Sequence, residues 1–127
     1  MMELNGVSIL VAEDEDASYR ATERILQKAG AVCARAVNGL EAVEIASERD
    51  DLGLVLMDIK MPVMNGIEAT RRIKAKKPHL KVIATSAFAM PGDKQIYLDS
   101  GCDDFIQKPL FTETLIEIIV KHLNTKS

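Results

Sequence analysis

A chain of 127 residues, 47% hydrophobic and 28% charged with a net charge of −3, has the size and make-up of one ordinary globular domain. It carries no run of positive residues, which excludes the concentrated basic face that nucleic-acid binding needs. It also lacks an 18-residue apolar stretch and an apolar segment followed by a small-residue cleavage site, so a cytoplasmic location without membrane contact is expected. Cys33 and Cys102 are far apart and form no CxxC pair, so both read as small hydrophobes in a reducing compartment. His79 and His122 have no partners at zinc-ligand spacing.

In chain order, Val7-Ser8-Ile9-Leu10-Val11-Ala12 is a short apolar run that reads as a buried parallel strand, followed at once by Glu13 and Asp14. A helix over residues 17–29 carries its apolar stripe on Ala21, Ile25, Leu26 and Ala29, and Gly30 stands where a C-cap is expected. A weaker second strand covers 31–37. Asn38-Gly39 turns the chain into a helix through Leu40, Ala42, Val43, Ile45 and Ala46, which Asp50-Asp51 closes.

The third strand, Leu54-Val55-Leu56-Met57, runs into Asp58. A loop with Met61-Pro62 and Asn65-Gly66 leads to a helix over 67–77, stopped by Pro78. The fourth strand spans 81–85, and Pro91-Gly92 precedes a shorter helix over 93–100 ended by Gly101. A short fifth strand covers 104–107. The last helix, 113–124, buries Leu115, Ile116, Ile119, Val120 and Leu123, with His122 in its final turn, where positive charge is favourable.

Strict alternation of five strands with five helices, without hairpin signals, predicts a parallel sheet with right-handed crossovers and helices on both faces. A Rossmann-like half and a flavodoxin-like sheet both fit five strands. In the flavodoxin-like order 2-1-3-4-5 the switch point lies between strands one and three, the two that end in Glu13-Asp14 and Asp58. The expected fold is therefore α/β and flavodoxin-like, a single domain over residues 1–127 with no repeat or linker.

The other strand ends add a hydroxyl at Ser86 and an ammonium at Lys108, whereas strand two ends in Val37-Asn38-Gly39 and offers no charge. Singly, each group has a plainer reading. Asp14 or Asp16 could cap the helix beginning near Ala17, Ser86 could serve a turn, and Lys108 could be a solvated surface lysine. Their joint placement on four adjacent strands favours one site. Crowded carboxylates resist joint ionisation unless a cation neutralises them, and Mg²⁺ takes carboxylate, water and phosphate oxygens. An acidic cluster with a lysine and a hydroxyl suits phosphoryl chemistry. Asp58, on the central strand, is the better nucleophile for an aspartyl-phosphate, leaving Glu13 and Asp14 to hold the metal.

Glu13-Asp14, the stretch from Leu56 to Gly66 (Leu-Met-Asp-Ile-Lys-Met-Pro-Val-Met-Asn-Gly), Ala84-Thr85-Ser86-Ala87 and Lys108-Pro109 resemble, in order and spacing, the receiver domain of two-component response regulators. The resemblance runs from about Val7 to Leu123. It implies that Asp58 accepts a phosphoryl group from a histidine kinase or histidine phosphotransfer domain. It also implies Mg²⁺ held by Asp14, Asp58 and the backbone carbonyl of Lys60, with Glu13 acting through water. Lys108 would pair with the phosphoryl group, and its peptide bond to Pro109 is expected to be cis.

A switch through Ser86 and Phe105 is implied as well, with two departures from the commoner pattern. Ser86 stands where threonine is usual, and Phe105 where tyrosine is frequent. The module would catalyse only its own phosphorylation and dephosphorylation. Lys60 and Phe88, two residues beyond Asp58 and Ser86, are expected to flank the approach of hydrolytic water. The expected partner surface, which a dimer would share, is the fourth helix, fifth strand and fifth helix, including Tyr97 and Phe105. The loop around Ser86 and the run Cys102-Asp103-Asp104-Phe105 are similar to receivers of hybrid histidine kinases, while a stand-alone regulator remains open.

Two other classes compete. A Mg²⁺-dependent phosphohydrolase on a similar sheet would carry a second acid two residues after its nucleophile, where this chain has Lys60. A nucleotide- or flavin-binding domain would have a Gly-rich loop after strand one, where this chain has Glu13-Asp14-Glu15-Asp16.

Overall fold

A computed structural model describes residues 3–87 and 90–124. Five parallel strands, β1 (Ser8–Ala12), β2 (Val32–Ala36), β3 (Leu52–Asp58), β4 (Lys81–Ser86) and β5 (Asp104–Gln107), lie in the order β2-β1-β3-β4-β5. The helices between and after them are α1 (Asp16–Lys28), α2 (Gly39–Glu48), α3 (Gly66–Lys76), α4 (Asp93–Asp99) and α5 (Thr112–Leu123). This is the flavodoxin-like order expected from the sequence.

Alternating side chains of the sheet divide the core between its two faces. Leu10, Val55, Met57, Val82 and Ala84 pack with Ala42, Val43, Ala69, Ile73 and Tyr97 of α2, α3 and α4. On the other face, Ile9, Val11, Leu54, Leu56, Ile83 and Ile106 pack with Tyr19 and Leu26 of α1 and Leu115 and Ile119 of α5. The central strands are buried on both sides, which is why they read as unbroken apolar runs. Cys33 and Cys102 are both free. They belong to clusters on opposite faces of the sheet and are out of reach of each other.

The helix ends are chemically specified. Gly30, at φ 96°, closes α1, with Gly30 N–H donating to Gln27 O (3.0 Å) and Ala31 N–H to Leu26 O (3.0 Å). That pair of bonds is the Schellman arrangement that a left-handed glycine permits. Asn38 and Asn65 cap α2 and α3, their side chains accepting from Glu41 N–H (2.8 Å) and Glu68 N–H (3.0 Å).

Several sequence expectations need correction. Neither Asp14 nor Asp16 caps α1: Glu15 occupies the N-cap without a side-chain bond, and Asp16 is already helical and pairs with Arg35 at 2.9 Å. β3 begins at Leu52, earlier than its apolar run suggests, and includes Asp58. β4 likewise includes Ser86. Tyr97 is only 6% exposed; its ring tilts against Phe105 at 5.1 Å, so it belongs to the core rather than to an outward surface.

Candidate functional site

The chemistry gathers where the C-terminal ends of β1, β3, β4 and β5 meet. Asp58 closes β3 in register with Thr85 of β4. Backbone bonds continue just past the sheet: Glu13 N–H donates to Ala36 O (2.9 Å), Ile59 N–H to Thr85 O (3.1 Å) and Lys108 N–H to Ser86 O (2.8 Å). Ser86 is buried in the last position of β4. The Lys108–Pro109 peptide is cis.

Glu13, Asp14 and Asp58 each offer a carboxylate oxygen, and these oxygens lie within 4.8 Å of one another. Glu13 and Asp58 are buried, at 4% and 7% exposure, while Asp14 faces solvent. Lys108 donates to Glu13 Oε1 and to Ser18 Oγ (3.3 Å), and its ammonium lies 3.5 Å from Asp58 Oδ2. Ser18 Oγ donates to Glu13 Oε1 at 2.8 Å, and Glu15 N–H to Glu13 Oε2 at 3.2 Å.

These contacts separate the two buried acids. Burial opposes ionisation of Glu13, but its bonds from Lys108, Ser18 and the Glu15 amide outweigh that and hold its pKa below the usual glutamate range. Burial also raises Asp58, and the nearby Glu13 charge adds to it; Lys108 only partly compensates, leaving Asp58 at about 6. Burial alone would lower Lys108, yet its bond to Glu13 and the charge of Asp58 raise it and keep it cationic. The donor set, all hard carboxylate oxygens carrying more negative charge than one lysine offsets, suits Mg²⁺. A cleft lined by Asp14, Ile59, Lys60, Met61, Pro62, Asn65 and Ile67 opens beside it.

Two glycines let the surrounding loops close. A Cβ on Gly66 would lie 2.3 Å from Asp58 O, and one on Gly39 would lie 2.1 Å from Met64 O. Neither glycine has positive φ; space, not backbone freedom, requires them.

Sequence reasoning missed Ser18 and Arg35. Strand two does deliver a charge: Arg35 Nε and Nη2 donate to Glu13 O at 3.2 and 3.1 Å. A lone arginine in the small-residue strand Val-Cys-Ala-Arg-Ala, beside an acidic loop, was the available signal. His122 is not simply a helix-end residue, since its Nε2 lies 2.9 Å from Asp104 Oδ2 on β5. Phe105 is half-buried against Tyr97, Lys60 is exposed, and Phe88 lies outside the described residues.

An acidic pocket at the switch point of a 2-1-3-4-5 sheet, faced by a lysine from the last strand, defines a receiver. The response regulator receiver domain model matches residues 9–120, and the chain belongs to that family. Receiver domains are signalling modules of two-component phosphorelays, and aspartate phosphorylation with Mg²⁺ is general among them.

The chain is 36% identical over 119 residues to the polar-differentiation response regulator DivK of Brucella anthropi, covering 91% of this chain and 95% of that protein. It is 37% identical over 119 residues to hybrid signal transduction histidine kinase I of Dictyostelium discoideum, covering 87% of this chain but 7% of that much longer protein. Among solved structures, the receiver domain of the sensor histidine kinase PA1611 from Pseudomonas aeruginosa PAO1 has magnesium coordinated in its active-site cleft. It matches with a TM-score of 0.88 and 30% identity, covering 94% of this chain and 99% of that one. The Ssk1 receiver of Saccharomyces cerevisiae, solved with the histidine phosphotransfer protein Ypd1, matches with a TM-score of 0.85 and 28% identity over 93% of this chain and 89% of that one. Among the described residues, no helix is long and apolar enough to cross a membrane.

Proposed function

We propose that Asp58 accepts a phosphoryl group from a phosphohistidine on a histidine kinase or histidine phosphotransfer domain, within one receiver spanning the chain. The observation that carries this reading is the clustering of the Glu13, Asp14 and Asp58 carboxylates within 4.8 Å, with the Lys108 ammonium beside them. An Asp58 oxygen attacks phosphorus; the bond from phosphorus to the histidine nitrogen breaks, and that nitrogen leaves with the electron pair. Lys108 moves toward the phosphoryl oxygens and offsets their charge. Asp14, Asp58 and the Lys60 carbonyl would hold Mg²⁺, with Glu13 acting through water; the ion supplies charge neutralisation at the phosphoryl oxygens. The Ser86 hydroxyl and the Phe105 ring form the proposed switch.

The test is intact-mass measurement after incubation with acetyl phosphate. A single phosphoryl adduct that needs both Mg²⁺ and Asp58 is expected, absent in Asp58→Asn. A stable adduct in Asp58→Asn, or none in the wild type, overturns the reading. Steady release of inorganic phosphate from unrelated phosphate esters would instead favour a phosphohydrolase.

Lys60 is exposed at the mouth of the cleft, where its side chain obstructs attacking water. Lys60→Asn is therefore expected to shorten the phosphoryl lifetime, read by loss of the adduct mass with time. An unchanged lifetime in both Lys60→Asn and Phe88→Ala removes this tuning role. For the partner surface, α4, β5 and α5 remain the proposed face for partner or dimer contact. Ile96, 52% exposed, rather than Tyr97, presents apolar area there.

A further inference from the structure

We propose that Arg35 is a positioning residue for the Mg²⁺-binding carboxylates, acting through the Glu13 peptide; this rests on the metal site proposed above. β1 ends at Ala12 and α1 begins at Asp16, so Glu13, Asp14 and Glu15 belong to neither element. Two of the three carboxylates of the cluster thus sit on a three-residue connection.

β2 holds that connection from both sides. Ala36 O accepts from Glu13 N–H at 2.9 Å, and Arg35 donates two bonds to Glu13 O, from Nε at 3.2 Å and Nη2 at 3.1 Å. A peptide is planar, so fixing the Glu13 carbonyl also fixes the Asp14 N–H and the start of Asp14. The guanidinium is itself held. Its Nη1 pairs with Asp16 Oδ1 at 2.9 Å, and its carbon lies 4.6 Å from the centre of the Tyr19 ring. Tyr19 in turn donates its hydroxyl to Glu23 Oε2 at 2.9 Å.

Positioning and plain charge predict opposite signs. As a cation near the acidic cluster, Arg35 repels Mg²⁺, so a purely electrostatic role predicts tighter binding once it is removed. As a brace it predicts weaker binding, because Asp14 then samples orientations that do not converge with Asp58. Lysine keeps the charge but not the rigid two-pronged donor, which makes Arg35→Lys the decisive variant.

Mg²⁺ affinity of the full chain, titrated with MgCl₂ by isothermal calorimetry, is expected to fall about tenfold in Arg35→Lys and in Arg35→Met, the usual scale for losing an outer partner of a metal ligand. Asp16→Asn, which keeps an oxygen acceptor for Arg35 Nη1 but removes the ion pair that helps hold the guanidinium, is expected to give a smaller fall than Arg35→Lys; an equal or larger fall would assign the effect to Asp16 and overturn the proposal. Melting by circular dichroism accompanies each titration: a lowered melting temperature with unchanged affinity marks a merely structural role and overturns the proposal. Unchanged or tighter binding in Arg35→Lys also overturns it, and that variant decides if Arg35→Met does not fold. If the wild type itself binds no Mg²⁺, the underlying metal reading fails instead, and the two failures are distinguishable.

Discussion

In metal-free buffer the protein is expected to lose stability as pH rises from about 4.5 to 7, by about 2 kcal/mol, at 1.36 kcal/mol per pH unit up to the folded-state pKa of Asp58. The sign follows from Asp58, whose folded-state pKa is raised from 3.8 to about 6 by burial and by the Glu13 charge. Between those values the folded chain binds more protons than the unfolded chain, so stability falls with pH. The contribution is complete below the unfolded value and gone above the folded one. Glu13 has the opposite sign, because its lowered pKa adds stability as pH rises through and below the ordinary glutamate range; a window starting at 4.5 largely excludes it. Urea unfolding of wild type and Asp58→Asn across this window is the measurement. The difference between the two curves removes contributions common to both. It is expected to grow with pH in favour of Asp58→Asn, and saturating Mg²⁺ is expected to close it. Parallel curves would place the pH dependence elsewhere.

Gly66→Ala is expected to destabilise the fold by about 1–3 kcal/mol, the usual cost of forcing a methyl into filled space, and to weaken Mg²⁺ binding as well. Gly66 is the first residue of α3, where alanine gains less than the about 1 kcal/mol it has over glycine in a helix interior, so propensity alone predicts a neutral to slightly stabilising change. The sign is therefore diagnostic. A Cβ here would lie 2.3 Å from Asp58 O and 2.9 Å from Ile59 Cα, so the atoms forced to yield belong to Asp58 and its neighbour. Gly39→Ala meets Met64 O at 2.1 Å; its strain falls on the loop behind the cleft, and its expected effect is on stability more than on the metal. Thermal melts and calorimetric titrations of the two variants side by side separate these effects. A neutral or stabilising Gly66→Ala would mean that the loop relaxes freely.

The strand order was legible because burial on both faces leaves Ile9 to Ala12 and Leu54 to Met57 with no polar residue to interrupt them. Glu13 and Asp58 could be read because each directly follows such a run, and Asp14, Ser86 and Lys108 because they stand at the ends of strands, where groups can meet at a switch point. What stayed hidden depends on direction rather than on position in the chain. Arg35 occupies a strand that looks merely weak, and its donors are spent on a backbone carbonyl, which leaves no mark in a motif. Ser18 lies in the first turn of α1, where a serine ordinarily faces solvent. The Asn-Gly pairs at 38–39 and 65–66 read as turns. Their asparagines are caps and their glycines make room for a carbonyl, and composition cannot tell one use from the other. Tyr97 was expected on the partner surface from the resemblance to receiver domains, but tertiary packing against Phe105 places its ring in the core.

The three amides just beyond the sheet, at Glu13, Ile59 and Lys108, each hang from the neighbouring strand. Asp58 and Lys108 are thus both tied to the end of β4, through the Ile59 amide and the Lys108 amide, whereas Glu13 hangs from β2. Any displacement of the Lys108 backbone would strain its bond to the Ser86 carbonyl, and one beside Asp58 the bond to the adjacent Thr85 carbonyl, so the end of β4 is where the two would meet.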